Sequence, residues 1–306
     1  MIDSTPFAYP SHGNVDRLAT ATAALRRVEQ AVMETLRDAG YEEVLPPVVD
    51  VLEVFAETGA GVVKLVDRSG HVMGLRADFT GPVARIAGMQ LRDLTGPLRL
   101  SYHGTTFRDQ GGLRQRMEAG GELYGAAGPA ADAEVLRTAL ACVRSVGIEG
   151  RLAIGSMALV ESLLPTTPAL RRALDRRDRK TLRSLPEVQA LSPESQRAAE
   201  ALLDLVGGPE ILSQARELLP GCAAALDELE ALAQNLEGED FELDLAHVRL
   251  PAYYTGTVFD VYVEGAARAI GGGGRYDSLA ARYGPARPAA GFAVDLDALA
   301  GFSRAC

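Results

Sequence analysis

The sequence predicts an α+β protein whose mixed core, residues 1–155 and 238–306, is interrupted at 156–237 by helices alone. Three observations carry that reading. Leu18, Leu25, Val28, Val32 and Leu36 recur at the helical period. Phe241, Leu243 and Leu245 alternate with Glu242, Asp244 and Ala246, the period of a half-buried strand. Between Ser156 and Leu236, capping pairs recur and strand alternation does not. No internal repeat or low-complexity tract is present.

In chain order, residues 14–39 form the first predicted helix, with Asn14 as N-cap and Gly40 as the terminating residue. A strand over 43–49 follows, interrupted by Pro46 and Pro47. Neither proline supplies a ladder donor, which places the strand at an edge or against a second copy of the chain. Residues 63–75 read as a hairpin turning at 67–70, and 82–89 as a helix with Pro82 in its first turn. Strands over 98–102 and 121–124 flank a flexible, charged loop at 111–116; a helix over 130–146 and a strand over 150–154 complete this half. In the helical insertion, Thr167-Pro168 and Ser192-Pro193 mark helix starts, and Gly207-Gly208-Pro209 separates two helices. After the strand at 241–248 come a second at 257–263, a turn at Glu264-Gly265, and a third strand ending at Ile270. Four glycines, 271–274, follow it, and glycines at a strand end permit close approach of a ligand or backbone. This run also brings Arg249, Tyr253, Tyr254, Arg275 and Tyr276 to strand ends, the makings of a pocket floor.

The chain of 306 residues is long enough for one large domain or two modest ones, and its formal charge is −10. That charge opposes binding of a long polyanion, which usually requires a basic face. The first residues show no secretory signal and no apolar run reaches membrane-spanning length, so a cytoplasmic protein without membrane contact is expected. Cys142, Cys222 and Cys306 form neither a disulfide framework nor a zinc site, and no metal or cofactor is expected. Residues 171–183 hold seven basic and two acidic residues; a solvated helix face explains them, and a docking patch for an acidic or phosphorylated partner is the alternative.

Eight polar residues gather near predicted strand ends: Asp78, Thr80, Arg108, Glu118, Glu122, Arg249, Tyr254 and Tyr276. Carboxylates with arginines suit a zwitterion, and tyrosine adds a flat wall with a hydroxyl at its tip. An amino acid with a polar ring fits such a set.

Several segments resemble the catalytic core of class II aminoacyl-tRNA synthetases, and of histidyl-tRNA synthetase in particular. GYEEVLPPVVD (40–50) resembles the dimer-interface motif, with Pro47 as its marker proline, and TTFRDQ (105–110) the second motif, with Arg108 as its arginine. VRLPAYYTGTVF and GGGRYDSL resemble the two histidine signatures, and PAAGFAVDLDAL the third class motif. The resemblance implies an antiparallel sheet flanked by helices, a homodimer, and histidine contacts at the eight residues above. Asp78 stands for a glutamate, and Glu118 for a glutamine, which makes the pocket more anionic.

The departures concern ATP and tRNA. Gln110 replaces a glutamate that seats the adenine, and the usual Gly-Leu-Glu-Arg reads Asp295-Leu296-Asp297-Ala298, which removes an arginine from the phosphates. Losing one such contact costs roughly 2–4 kcal/mol of transition-state stabilisation, or two to three powers of ten in rate. The histidine signature has also drifted to Arg249-Leu250-Pro251-Ala252, and the chain stops where the synthetase continues into an anticodon-binding domain. LRADFTGPVARI (75–86) and EAGGELYG (118–125) are more similar to the regulatory subunits of short-form ATP phosphoribosyltransferases. That resemblance implies a non-catalytic subunit that assembles with the short catalytic subunit, activates it and mediates feedback by histidine as effector, without tRNA. A truncated enzyme forming histidyl-adenylate and a free-standing amino-acid sensor are the alternatives.

Overall fold

A computed structural model describes residues 14–58, 61–109, 111–219, 221–249, 251 and 253–303. The expectations for Gln110, Leu250, Ala252 and Cys306 therefore fall outside the described residues. The described strands are β1 (Glu42–Glu43), β2 (Val49–Val51), β3 (Lys64–Val66), β4 (Val72–Leu75), β5 (Leu98–Asp109), β6 (Leu113–Tyr124), β7 (Gly150–Ser156), β8 (Val206–Gly207), β9 (Phe241–Asp244), β10 (Thr257–Val263), β11 (Gly271–Arg275) and β12 (Ala289–Asp295). Nine build one sheet in the order β1-β5-β6-β12-β11-β10-β7-β9-β8, antiparallel except for the β1–β5 and β7–β9 pairs. The remaining three form a small sheet in the order β2-β4-β3.

Helix α1 (Ala19–Asp38) buries Leu25, Val28, Val32 and Leu36 against the large sheet, the stripe its periodicity predicts. Gly40 ends it at φ +84°, a conformation that glycine adopts without a Cβ penalty. Asn14 is not its N-cap: the helix starts at Ala19 without a side-chain cap. Asn14 instead ties this segment to β6, donating to the Leu113 carbonyl at 3.0 Å and accepting from the Gln115 N–H at 2.9 Å. Helix α2 (Thr80–Arg85) follows β4, and a wider turn over Ile86–Gln90 extends it. Helix α3 (Pro129–Arg144) begins on its proline and crosses the sheet face over β6, β12, β11, β10 and β7. The apolar core lies between α1, α3 and that face.

Several boundaries differ from expectation. The strand predicted over 43–49 splits into β1 and β2, because the intervening prolines cannot donate and the chain leaves the large sheet after Val44, whose N–H still bonds Ser101. β5 and β6 pair without slippage from Leu98↔Tyr124 to Asp109↔Leu113, so most of the predicted charged loop is strand. The strand over 241–248 stops at Asp244, whose carboxylate accepts from the Ala246 N–H and turns the chain. The strand expected to end at Ile270 is absent; the glycines themselves are the strand, with Val258↔Gly274 through Val261↔Gly271 in register.

Helices of 156–237 are α4 (Met157–Leu163), α5 (Pro168–Asp175), α6 (Arg179–Ser184), α7 (Pro186–Gln189), α8 (Pro193–Ala201), α9 (Ile211–Leu218) and α10 (Ala223–Asn235). Thr167 and Ser192 cap α5 and α8 through their hydroxyls, as their positions predict. One correction applies here: Val206–Gly207 pairs with β9, so this stretch also adds an edge strand to the large sheet. Three of the seven basic residues of 171–183 form close pairs with carboxylates within the chain. Arg177 pairs with Asp244, Arg179 with Asp204 at 2.7 Å, and Arg183 forks onto Glu200 with both bonds at 2.7 Å. Helix α11 (Leu296–Phe302) closes the chain against α1.

Candidate functional site

A cavity of about 340 Å³ opens over the middle of the large sheet, within the size range of small-molecule sites. Its floor is a consequence of glycine. A side chain at Gly272 would overlap the Arg249 guanidinium and the Asp260 carboxylate, and one at Gly291 would overlap the Glu122 carboxylate. The strands therefore leave room for groups that enter from their neighbours. On β6, Gly120 does the same for the Tyr102 ring of β5.

Seven of the eight predicted residues line this cavity: Asp78, Thr80, Arg108, Glu118, Arg249, Tyr254 and Tyr276. Glu122 lies below the floor, 1% exposed, and accepts from the Tyr276 hydroxyl and, at 3.4 Å, from the Tyr102 hydroxyl. Burial drives its carboxyl up to about 8, although bonds from Tyr276 and Thr80 oppose the rise. Burial likewise raises the Tyr276 hydroxyl well above its usual range, reinforced by Glu122. The result is a buried acid–phenol pair under an apolar wall in which Tyr253, Tyr254 and Tyr276 pack with ring centroids 4.7–6.4 Å apart.

Arg249 bonds the Phe259 carbonyl at 2.9 Å, pairs with Asp260 and sits 5.7 Å from the centre of the Tyr254 ring. Arg108 is anchored by its Nε to the Ala77 carbonyl at 3.0 Å. Glu118 is buried, and loss of hydration raises its carboxyl against the pull of Arg108 and Arg116. Asp78 stands before α2 and accepts from the Gly81 N–H at 3.4 Å. Carboxylates, fixed arginines and phenolic walls thus face one volume that suits a small zwitterion with a polar ring.

Arg275 is not part of the pocket. It turns to the other face of the sheet, where it pairs with Asp132 at 2.5 Å and Asp277 at 2.9 Å. Arg76, which carried no predicted role, holds the layer behind the site. It donates to the Pro46 and Thr105 carbonyls and lies 4.1 Å from the centre of the Phe79 ring, which stacks on Tyr102 at 4.3 Å. Tyr102, Arg116, Asp175, Asp260 and Arg268 also line the cavity and escaped the sequence reading. For Tyr102 a signal existed, since Gly120-Gly121 inside a strand marks close approach of another group.

A second cavity of about 230 Å³ continues from the first, lined by Thr106, Arg114, Gln115, Asp297 and residues shared with it. Here the third-motif departures acquire structural partners. Asp295 caps α11 at the Ala298 N–H and pairs with Arg268 at 2.8 Å and Arg116 at 3.2 Å. Asp297 pairs with Arg17 at 2.6 Å and accepts from the Met117 N–H at 3.0 Å. The negative charge expected of Asp295 is therefore compensated by arginines.

The chain matches a family model described as histidyl-tRNA synthetase over residues 13–299. A curated relative from Moorella thermoacetica, named ATP phosphoribosyltransferase regulatory subunit, is 35% identical over 323 residues, covering 98% of this chain and 82% of its own. One of the same name from Cupriavidus pinatubonensis is 36% identical over 308 residues, covering 94% and 80%. Among solved structures, an ATP phosphoribosyltransferase regulatory subunit/histidyl-tRNA synthetase from Bacillus halodurans superposes with a TM-score of 0.86 at 28% identity, over 98% of this chain and 85% of that one. The mixed sheet, the flanking helices and these matches agree with the class II synthetase fold read from the motifs, and the chain belongs to the histidyl-tRNA synthetase family, among its ATP phosphoribosyltransferase regulatory subunits.

Proposed function

We propose that this chain is a non-catalytic regulatory subunit that assembles with a short catalytic ATP phosphoribosyltransferase, activates it and makes it responsive to histidine. One observation carries the reading: the two halves of the synthetase-like site have different fates. The amino-acid half presents Asp78, Thr80, Arg108, Tyr254 and Tyr276 around an open volume backed by Glu122. In the adjoining half, Arg116, Arg268 and Arg17 are engaged by the chain's own Asp295 and Asp297. An arginine paired to an internal carboxylate offers little to a triphosphate unless that pair is broken. The site therefore favours holding an amino acid over activating it.

Histidine then acts as effector by binding one assembly state better than another, with couplings typically of about 1–3 kcal/mol. A homodimer is proposed through the small sheet, where Val49, Val51, Val66 and Val72 are 41–67% exposed beside the Pro46-Pro47 segment. The buried free thiols of Cys142 and Cys222 suit a cytoplasmic setting.

The test mixes this protein with the short catalytic subunit and measures phosphoribosyl-ATP formation with and without histidine. Stimulation by the protein and inhibition by histidine are expected. Absence of both sinks the reading, and histidine-dependent exchange of pyrophosphate into ATP by the isolated chain would establish an adenylating enzyme instead.

A further inference from the structure

Helix α5 of the helical insertion is tied to the backbone of the pocket by a buried arginine. Arg171, on α5, is 6% exposed, and its Nη1 donates to the backbone carbonyls of both Arg249 and Pro251 at 3.0 Å. Those carbonyls belong to the irregular stretch between β9 and β10. Its nearest carboxylate, Glu161, is 3.8 Å away and 43% exposed, so the buried guanidinium is matched chiefly by the two carbonyl dipoles. Burying a cation in that manner is costly, and it persists where it fixes something. The fixed element is the backbone of Arg249, whose side chain turns the opposite way, onto Phe259, Asp260 and the Tyr254 ring at the cavity. One turn further along α5, Asp175 reaches the cavity wall itself.

We infer that Arg171 is a positioning residue for the pocket: it holds the carbonyls of Arg249 and Pro251 so that the Arg249 side chain faces the cavity, and it ties occupancy of the cavity to helix α5. This inference rests on the reading of the cavity as a histidine site. An insertion attached in this way transmits ligand binding, because the residues that line the cavity at Arg249 and Pro251 and the helix that holds them share two hydrogen bonds.

The test uses the full chain as wild type, R171M and R171K, with histidine as probe. Without ligand, amide hydrogen exchange across 248–256 is expected to run about tenfold faster in R171M, and R171K, which keeps the charge and N–H donors on a shorter stem, restores part of the protection. By calorimetry R171M is expected to bind histidine about tenfold more weakly, again with recovery in R171K. Histidine slows exchange across 168–175 in the wild type and leaves R171M unchanged. Wild-type exchange across 248–256 in R171M overturns the inference whatever histidine does, and so does equal affinity of R171M and wild type. A loss that R171K does not recover, with both variants melting far below wild type, assigns Arg171 to packing alone and also overturns it. A wild type that binds no histidine overturns the proposed ligand only, and the exchange rates without ligand then decide the role of Arg171. If R171M fails to fold, R171Q takes its place with the same outcomes.

Discussion

Replacing Glu122 by glutamine isolates a strongly perturbed carboxyl beneath the pocket. Burial lifts Glu122 from an ordinary 4.5 to about 8, so at neutral pH the folded chain keeps a proton that the unfolded chain has released. Between those two values the native state binds more protons than the unfolded one. Stability from this group is therefore full below the unfolded value and is lost as pH rises toward the folded one. Each pH unit removes about 1.4 kcal/mol, or roughly 3 kcal/mol by pH 7 relative to acid conditions. Glutamine is neutral throughout, and its carbonyl oxygen still accepts from the Tyr276 hydroxyl. Calorimetric melting of wild type and E122Q at several pH values between roughly 5 and 8 cancels the other titrations, which both proteins share. The variant is expected to gain about 2 °C on the wild type per pH unit. A melting difference that is constant across this range refutes a raised Glu122. Saturating histidine should flatten the wild-type slope, because a cationic group in the cavity favours ionised Glu122.

Tyr254→Phe keeps the ring beneath Arg249 and removes only the hydroxyl; histidine affinity should fall about five- to tenfold by calorimetry while the complex with the catalytic subunit still forms. Arg275→Met leaves Asp132 buried without its cation and should cost roughly 3–5 kcal/mol in denaturant melts. Adding Asp132→Asn to it should recover part of that loss, and additive losses would exclude direct coupling. Gly291→Ala pushes a methyl into the Glu122 carboxylate and should abolish histidine binding with a lowered melting temperature; wild-type affinity would show that the floor yields. Val49→Asp places charge on the exposed face of the small sheet and should give a monomer by sedimentation, whereas an unchanged dimer moves the interface elsewhere.

The long regular elements were legible in the sequence because one physical signal dominated each. The stripe of Leu25, Val28, Val32 and Leu36 and the paired Thr167-Pro168 and Ser192-Pro193 starts are examples. β11 was not legible. A run of glycines has no periodicity and low strand propensity, and it is a strand only because β10 and β12 supply ladders on both sides. Asn14 misled for a related reason: its cap-forming side chain satisfied two backbone groups of β6, distant in sequence, and not the neighbouring helix. In the site, motif resemblance brought seven residues to the cavity wall, but it could not distinguish Glu122 beneath the floor from Tyr276 on it. The strand-end reading also grouped Arg275 with Tyr276, its neighbour, although successive residues along an extended chain point to opposite faces. Asp175 lies in the charged run at 171–183 and Arg268 just before Ile270; neither signal pointed to the pocket, and only the tertiary arrangement places them there.

The glycine floor sets how this pocket can change over evolutionary time or in the hands of a protein engineer. A side chain at Gly273 would strike the Gly291 backbone, and side chains at Gly272 and Gly291 would strike Arg249 and Glu122. Ligand preference is therefore hard to retune from below, because a side chain at each of these glycines also meets backbone: the Phe259 carbonyl at Gly272, the Gly291 carbonyl at Gly273 and the Gly121 carbonyl at Gly291. Variation is easier on the walls, where Asp78, Thr80, Glu118 and Tyr254 present side chains to the cavity. A lineage that lost its phosphate-binding edge could keep an amino-acid cradle for this reason: the cradle's base is the part of the sheet least able to drift.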